Sequence, residues 1–194
     1  MLSENLAGKK IILGSASPRR RELLAGLDLD FIVDTQNNFT ETFSSGMPHT
    51  AVTEYLAKGK SYGFHRELEK DEILITADTM VLCGEEILGK PKDKTGAVKM
   101  LGLLQGNTHT VLTGVCIRNC SKMKSFTAAT KVTFGPLSAE EIEYYLEKYK
   151  PYDKAGSYGV QEWIGYVGIS GIEGSYYNVM GLPVQRLYRE LESF

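Results

Sequence analysis

The stretch EILITADTMVL, Glu72–Leu82, decides the fold. From Ile73 to Leu82 only Thr76, Asp78 and Thr79 interrupt an apolar run, which reads as a strand buried on both faces at the centre of a helix-covered sheet. CGEE then turns this strand into ILGKP, Ile87–Pro91, as a hairpin. Upstream, KKIILGS is a short apolar strand and PRRRELLAGL a helix, with Ser17 as N-cap, Pro18 at the first helical position and Gly26 near the stop. DFIVDT is a second strand. QNNFTETFSSGMP is a polar loop too long for a simple connector, and such loops often carry function. A helical pattern from His49 to about Lys70 carries Val52, Tyr55, Leu56, Phe64 and Leu68; Gly59 and Gly63 each weaken it by about 1 kcal/mol relative to alanine.

Downstream, DKTGAVKMLGLLQG reads as a helix capped by Asp93, with Ala97, Met100, Leu101 and Leu104 on one face. THTVLTGVCIR and SFTAATKVTF are long strands. LSAEEIEYYLEKY opens with a capping box, Ser138 with Glu141, and stops at Pro151. YDKAGSYGVQ is a glycine-bearing loop, WIGYVGISGIEGSY a bent hairpin and PVQRLYRELESF a closing helix. Strand–helix alternation followed by a long hairpin predicts an α/β fold: an elongated mixed β-sheet flanked by helices, in two lobes with a central cleft. The expected organisation is one domain over residues 1–194.

Composition narrows the function. A net charge of −2 and a pI of about 6.0 argue against bulk nucleic-acid binding, so any anion is held by local clusters. No apolar run reaches the roughly 18 residues of a membrane span, and MLSENLAGKK has no signal-peptide core. Cys83, Cys116 and Cys120 lack zinc-type spacing and read as reduced thiols of a cytoplasmic protein. With His49, His65 and His109 scattered, a metal site has to rest on carboxylates.

The chemistry-bearing residues lie at strand ends. A strand, the small-residue turn Gly14–Ser17 and a helix start form a ready anion site. Ser15 and Ser17 add hydroxyls, and Arg19, Arg20 and Arg21 add guanidinium forks. Three cations at a helix N-terminus face its own partial positive charge of roughly half a unit. Either a bound polyanion offsets the repulsion, or the side chains splay into solvent. On the first account, removing Arg20 leaves the ligand-free fold unchanged or slightly steadier. Asp78, within an apolar strand, has to be paired, protonated or metal-bound, and carboxylates so placed are common catalytic bases. Lys60, Lys90 and Glu41 are each compatible with a solvated surface role when taken alone; the hairpin returns Lys90 beside the Asp78 strand. Gln161 offers a donor and an acceptor suited to a nucleobase edge, or simply closes a tight loop. GYVGISG has the wrong spacing for a dinucleotide fingerprint.

Taken in order, GSASPRRRELL, ITADTMVLCGEEILGKPKD, MLGLLQGNTHTVLTGV, KVTFGPLSAEEIEYYLEKYKPYDKAGSYGVQ and IEGSYYNVMGLP resemble the Maf family, the septum-formation-associated nucleotide pyrophosphatases. The resemblance runs from about Lys10 to Leu191. It implies hydrolysis of a nucleoside triphosphate to monophosphate and pyrophosphate with a divalent metal, Mg²⁺ or Mn²⁺. ADT together with DKAGSYGVQ is similar to the dTTP/UTP branch. By resemblance, Ser15, Arg19 and Arg20 bind phosphate; Asp78, Lys60 and Lys90 are catalytic; Arg19, Thr79 and Gln161 set base specificity; Glu41 and Asp78 hold the metal. This chain has a single acid in FTET where the family usually has a pair. The expected partner is a nucleoside triphosphate, with neither nucleic acid nor membrane, in a cytoplasmic and possibly homodimeric protein. Two alternatives are a purine-selective house-cleaning pyrophosphatase and a non-catalytic nucleotide-binding cell-division regulator. The second has no use for a water-activating carboxylate.

Overall fold

The computed structural model describes residues 2–194. After a one-turn helix, α1 (Leu2–Asn5), strand β1 (Lys10–Leu13) enters helix α2 (Pro18–Ala25). Ser17 caps α2 through its side chain, Pro18 occupies the first turn and Gly26 closes the helix. β2 (Phe31–Val33) lies parallel to β1, Ile12 opposite Ile32. Helix α3 (His49–Tyr62) then leads to β3 (Glu72–Cys83), parallel to β1 on its other side. Both parallel pairs are reached through a helical crossover, as such pairs require.

β3 turns at Gly84, whose φ of 58° is a left-handed conformation that suits glycine, into antiparallel β4 (Glu86–Leu88), with Val81 opposite Leu88. Helix α4 (Lys94–Leu104) is capped by Asp93. β5 (Thr108–Arg118) and β6 (Met123–Phe134) follow, then α5 (Ala139–Tyr149) with its full Ser138–Glu141 capping box. The chain ends with α6 (Trp163–Gly168), β7 (Ile169–Glu173), α7 (Tyr176–Met180) and α8 (Val184–Glu192). The strands form one seven-stranded mixed sheet in the order β2-β1-β3-β5-β6-β7, with β4 on β3. This is the mixed α/β sheet expected from the strand–helix pattern.

The chain divides into two units. One comprises the chain up to Asp78, Thr113–Ala128 and Gly181–Phe194. Its core includes Ile12, Leu13, Leu24, Leu74 and Ile75, all fully buried. The other comprises Thr79–Leu112 and Ala129–Met180, with Leu101, Leu104, Tyr145, Leu146 and Ile164 fully buried.

Two expectations are corrected. The helix from His49 stops at Tyr62 and does not reach Lys70; Gly63 caps it by donating its N–H to the Gly59 carbonyl at 2.8 Å. Phe64 then bridges Asn37, and Phe64 and Leu68 pack with Ile12 and Leu74. Their four-residue spacing imitated a helical stripe while serving a non-helical return to the core. WIGYVGISGIEGSY is likewise no hairpin: it forms α6 followed by β7, with only β7 entering the sheet beside β6. Gly165 marks close packing rather than a strand bend, since a Cβ there would lie 1.8 Å from the Val160 carbonyl oxygen. The short helices α1 and α7 carried no periodicity long enough to see.

Two buried titratable groups contribute to the acid response. Glu72 receives Arg66 through two bonds of 2.7 and 2.9 Å, and this pairing holds its carboxyl at about 2. His109 lies against Tyr158 Oη at 2.7 Å, and burial pushes the imidazole down to about 4. In both cases the unfolded chain binds protons more readily than the native one, so acid favours unfolding. His109 stabilisation is lost as pH falls from about 6.5 to about 4, and that of Glu72 as pH falls from about 4.5 to about 2. Melting temperatures measured from pH 7 downwards are expected to fall in both ranges, and Glu72→Gln to flatten the lower one.

Candidate active site

Burial along β3 lapses at Asp78 and Thr79, between the buried residues Ala77 and Met80. The central strand is therefore open at the position where a carboxylate replaces an apolar side chain. Lys60 meets it there: its Nζ donates to Asp78 Oδ1 at 2.7 Å and lies 3.1 Å from Glu41 Oε2. The Lys60 and Asp78 side chains are 17% and 15% exposed, so this pair is shielded far better than a surface ion pair. Glu41, at 58%, reaches in from the solvent side.

Local structure fixes the lysine. Thr76 Oγ1, two residues before Asp78, donates to the Ala57 carbonyl at 2.7 Å and ties α3 to β3. Lys60 follows Ala57 by three residues and so lies on the same helix face. Arg118 reaches the Ser61 hydroxyl at 2.9 Å and its carbonyl at 2.6 Å, satisfying the end of α3.

The arginine turn lies one residue along the strand. Arg20 donates from Nε to the Gly181 carbonyl at 2.8 Å, and from Nη1 to the Ala77 carbonyl at 2.9 Å and Ser15 Oγ at 3.3 Å. Ser15 Oγ also accepts from the Ser17 N–H at 3.3 Å. Burial pushes the Arg20 guanidinium down from its usual range, and Asp78 opposes this by favouring the charge. Neither a ligand anion nor splaying into solvent is needed to place Arg20, because backbone carbonyls already receive it. Arg19 is half-buried beside it, and Arg21 is exposed. Ser15, Arg20, Asp78, Lys60 and Glu41 thus form one connected group within the first unit, with Arg19 next in the helix.

The second unit carries the other expected residues. Thr79 follows Asp78 and is half-buried; Lys90 is exposed, two residues past the end of β4. Gln161 is half-buried, and its Oε1 is buried without a hydrogen-bond partner. The loop holding Gln161 is braced by a cluster the sequence reading missed. Lys154, only 8% exposed, lies 3.0 Å from Glu162 Oε1; Tyr145 Oη donates to Glu162 and accepts from the Gly159 N–H at 3.0 Å. The same loop is tied beside Lys90, where the Gly156 N–H donates to the Gly89 carbonyl at 3.1 Å. Local sequence carries little signal for this cluster, because Glu162 lies 8 residues after Lys154 and Tyr145 lies 9 before it.

Among the described residues no group of three or more His, Cys, Asp or Glu side chains converges. Two carboxylates, Asp78 and Glu41, do converge on one cation, the Lys60 ammonium. Mg²⁺ characteristically takes one or two carboxylates and completes its shell with phosphates and water. The donor set fits such an ion and fits a thiolate- or imidazole-binding metal poorly.

A parallel strand, turn and helix start with serine and arginine side chains, beside a lysine-held carboxylate, defines an α/β protein equipped to handle phosphates. The chain belongs to the Maf family, whose model, described as Maf-like protein, matches residues 10–194. It is 50% identical over 193 residues to a dTTP/UTP pyrophosphatase of Porphyromonas gingivalis strain W83, covering 98% of this chain and 97% of that protein. It is 49% identical over 188 residues to a dTTP/UTP pyrophosphatase of Bacteroides thetaiotaomicron, covering 97% of each. Among solved structures, a nucleoside-triphosphatase, dITP/XTP pyrophosphatase, of Mycobacterium abscessus overlaps with a TM-score of 0.44 at 11% identity, covering 95% of this chain and 97% of that one.

Proposed function

We propose that this protein is a nucleoside triphosphate pyrophosphatase acting on dTTP and UTP, cleaving between the α- and β-phosphates to release the monophosphate and pyrophosphate. The observation that carries the reading is Asp78, a carboxylate where burial lapses midway along the central strand, held by Lys60 Nζ at 2.7 Å. The relatives that are about half identical over nearly their full length support the substrate.

In this reading Lys60 orients Asp78 through Oδ1, leaving Oδ2 to accept a proton from the attacking water. Ser15, Arg19 and Arg20 hold the phosphates at the turn, aided by the N-terminus of α2. Lys90 neutralises charge gathering on the departing pyrophosphate. Asp78 and Glu41 would hold Mg²⁺ or Mn²⁺, which supplies positive charge to the phosphate oxygens and acidifies bound water. Arg19, Thr79 and Gln161 read the base. Gln161 Oε1 is an acceptor without a partner; uracil and thymine offer an N–H at ring position 3, where cytosine has an acceptor. A missing complement to a buried polar group is costly, so dCTP is a poor substrate. We further propose that residues 1–194 work as a single domain in the cytoplasm, where the unpaired Cys83, Cys116 and Cys120 remain reduced, and that the protein is a homodimer.

A panel of dTTP, UTP, dCTP, dITP and 7-methyl-GTP, assayed for pyrophosphate release, tests the assignment. The expected result is preference for dTTP and UTP, loss of activity in EDTA and recovery with Mg²⁺ or Mn²⁺. Preference for dITP would favour the purine-selective alternative, and no turnover of any member would favour the regulator.

A further inference from the structure

Gly59 weakens α3 from within, and Gly63, four residues on and just past Tyr62, caps it on the same side. Their use lies outside the helix. A Cβ on Gly59 would come within 2.2 Å of Phe39 Cζ and 2.4 Å of Phe39 Cε2. A Cβ on Gly63 would come within 2.6 Å of Phe39 Cβ and 2.7 Å of Asn37 Oδ1. The Phe39 ring therefore lies flush on a face stripped of side chains, with Tyr55 edge-on at 6.4 Å one turn earlier. Polar bonds fasten the same segment. Asn37 Nδ2 donates to the Lys60 carbonyl at 2.5 Å, Asn37 Oδ1 accepts from the Phe39 N–H at 2.8 Å, and the Asn38 N–H donates to the Gly63 carbonyl at 2.8 Å. Two carbonyls at the end of α3 thus find partners in the long polar loop.

Glu41 is two residues beyond this anchor, and it meets the side chain of the residue whose carbonyl Asn37 holds, Lys60. We infer that Phe39, seated on Gly59 and Gly63, is a positioning residue that aims Glu41 at the Lys60–Asp78 pair. The inference rests on the proposed role of Glu41. It explains why an exposed carboxylate on a long loop lies at the site, and why a helix carrying a key lysine tolerates glycine on both sides of it. Filling the seat or removing the ring frees the loop without touching Lys60 or Asp78.

The test is a double-mutant cycle in the full chain. Phe39→Ala, Gly59→Ala and Glu41→Gln are made singly, and each of the first two is combined with Glu41→Gln. Two quantities are read with Mg²⁺ present: kcat/KM for dTTP, and the melting-temperature shift given by α,β-methylene dTTP, which needs no turnover. Phe39→Ala and Gly59→Ala are each expected to lower kcat/KM about tenfold, a size within the coupling range for residues in contact. On Glu41→Gln they are expected to change it less than about twofold, with the nucleotide-induced shift following the same pattern. Phe39→Leu, which keeps an apolar group in the seat, is expected to retain most activity. Equal losses in both backgrounds would overturn the inference, because a merely structural role is indifferent to Glu41. So would a wild-type-like Glu41→Gln. If the wild type hydrolyses no triphosphate, the hydrolysis reading fails, and the thermal-shift cycle still decides whether Phe39 acts through Glu41.

Discussion

Asp78→Asn is expected to lower kcat for dTTP at least about a hundredfold, the lower range for loss of a general base. The amide keeps the volume and can still accept from Lys60 at Oδ1, so the 2.7 Å contact has a neutral counterpart. It cannot take a proton from water. β3 is held at both ends of the position, by Thr76 on α3 and by the Val81–Leu88 register with β4, so the fold is expected to survive. Binding of α,β-methylene dTTP, followed by thermal shift, is expected to change far less than kcat. A variant keeping more than about a tenth of wild-type kcat would remove Asp78 as the base.

Arg20→Ala is expected to damage both stability and function. In the ligand-free protein it leaves the Ala77 and Gly181 carbonyls without the donors that reach them at 2.9 and 2.8 Å. A hydrogen bond from a charged group contributes about 1.5–3 kcal/mol, which outweighs the few tenths gained by removing a cation from a helix N-terminus. The apo melting temperature is therefore expected to fall. Loss of a charge-assisted contact to phosphate is expected to lower kcat/KM by roughly 1.5–3 kcal/mol, on the order of ten- to a hundredfold. Arg21→Ala, at an exposed position in the same helix, is the control and is expected to change neither. Calorimetry and kinetics on the two variants separate the roles: an unaltered apo melting temperature for Arg20→Ala would return the arginine to a purely ligand-facing function.

The central strand and the capped helices were legible because each rests on a local rule. Ser17, Asp93 and Ser138 cap where a side-chain oxygen precedes a helical run, and all three do so here. Asp78 was legible as a polar break in a buried strand, and Lys60 and Glu41 through family resemblance. What escaped depended on distant partners. The carbonyls that accept from Arg20 are 57 and 161 residues away, so the sequence showed three repelling cations where the fold supplies carbonyls. The seat on Gly59 and Gly63 is filled by Phe39, 20 and 24 residues earlier, and the buried Lys154 pairs with Glu162, which Tyr145 braces. No periodicity within one segment records such contacts.

The most direct test of the account is the position of oxygen label after hydrolysis of dTTP in ¹⁸O-water with Mg²⁺, read by mass spectrometry and ³¹P NMR. Attack on the α-phosphorus by water activated at Asp78 predicts dTMP carrying one ¹⁸O and pyrophosphate carrying none. Label in pyrophosphate, or dTDP with labelled orthophosphate, would contradict it.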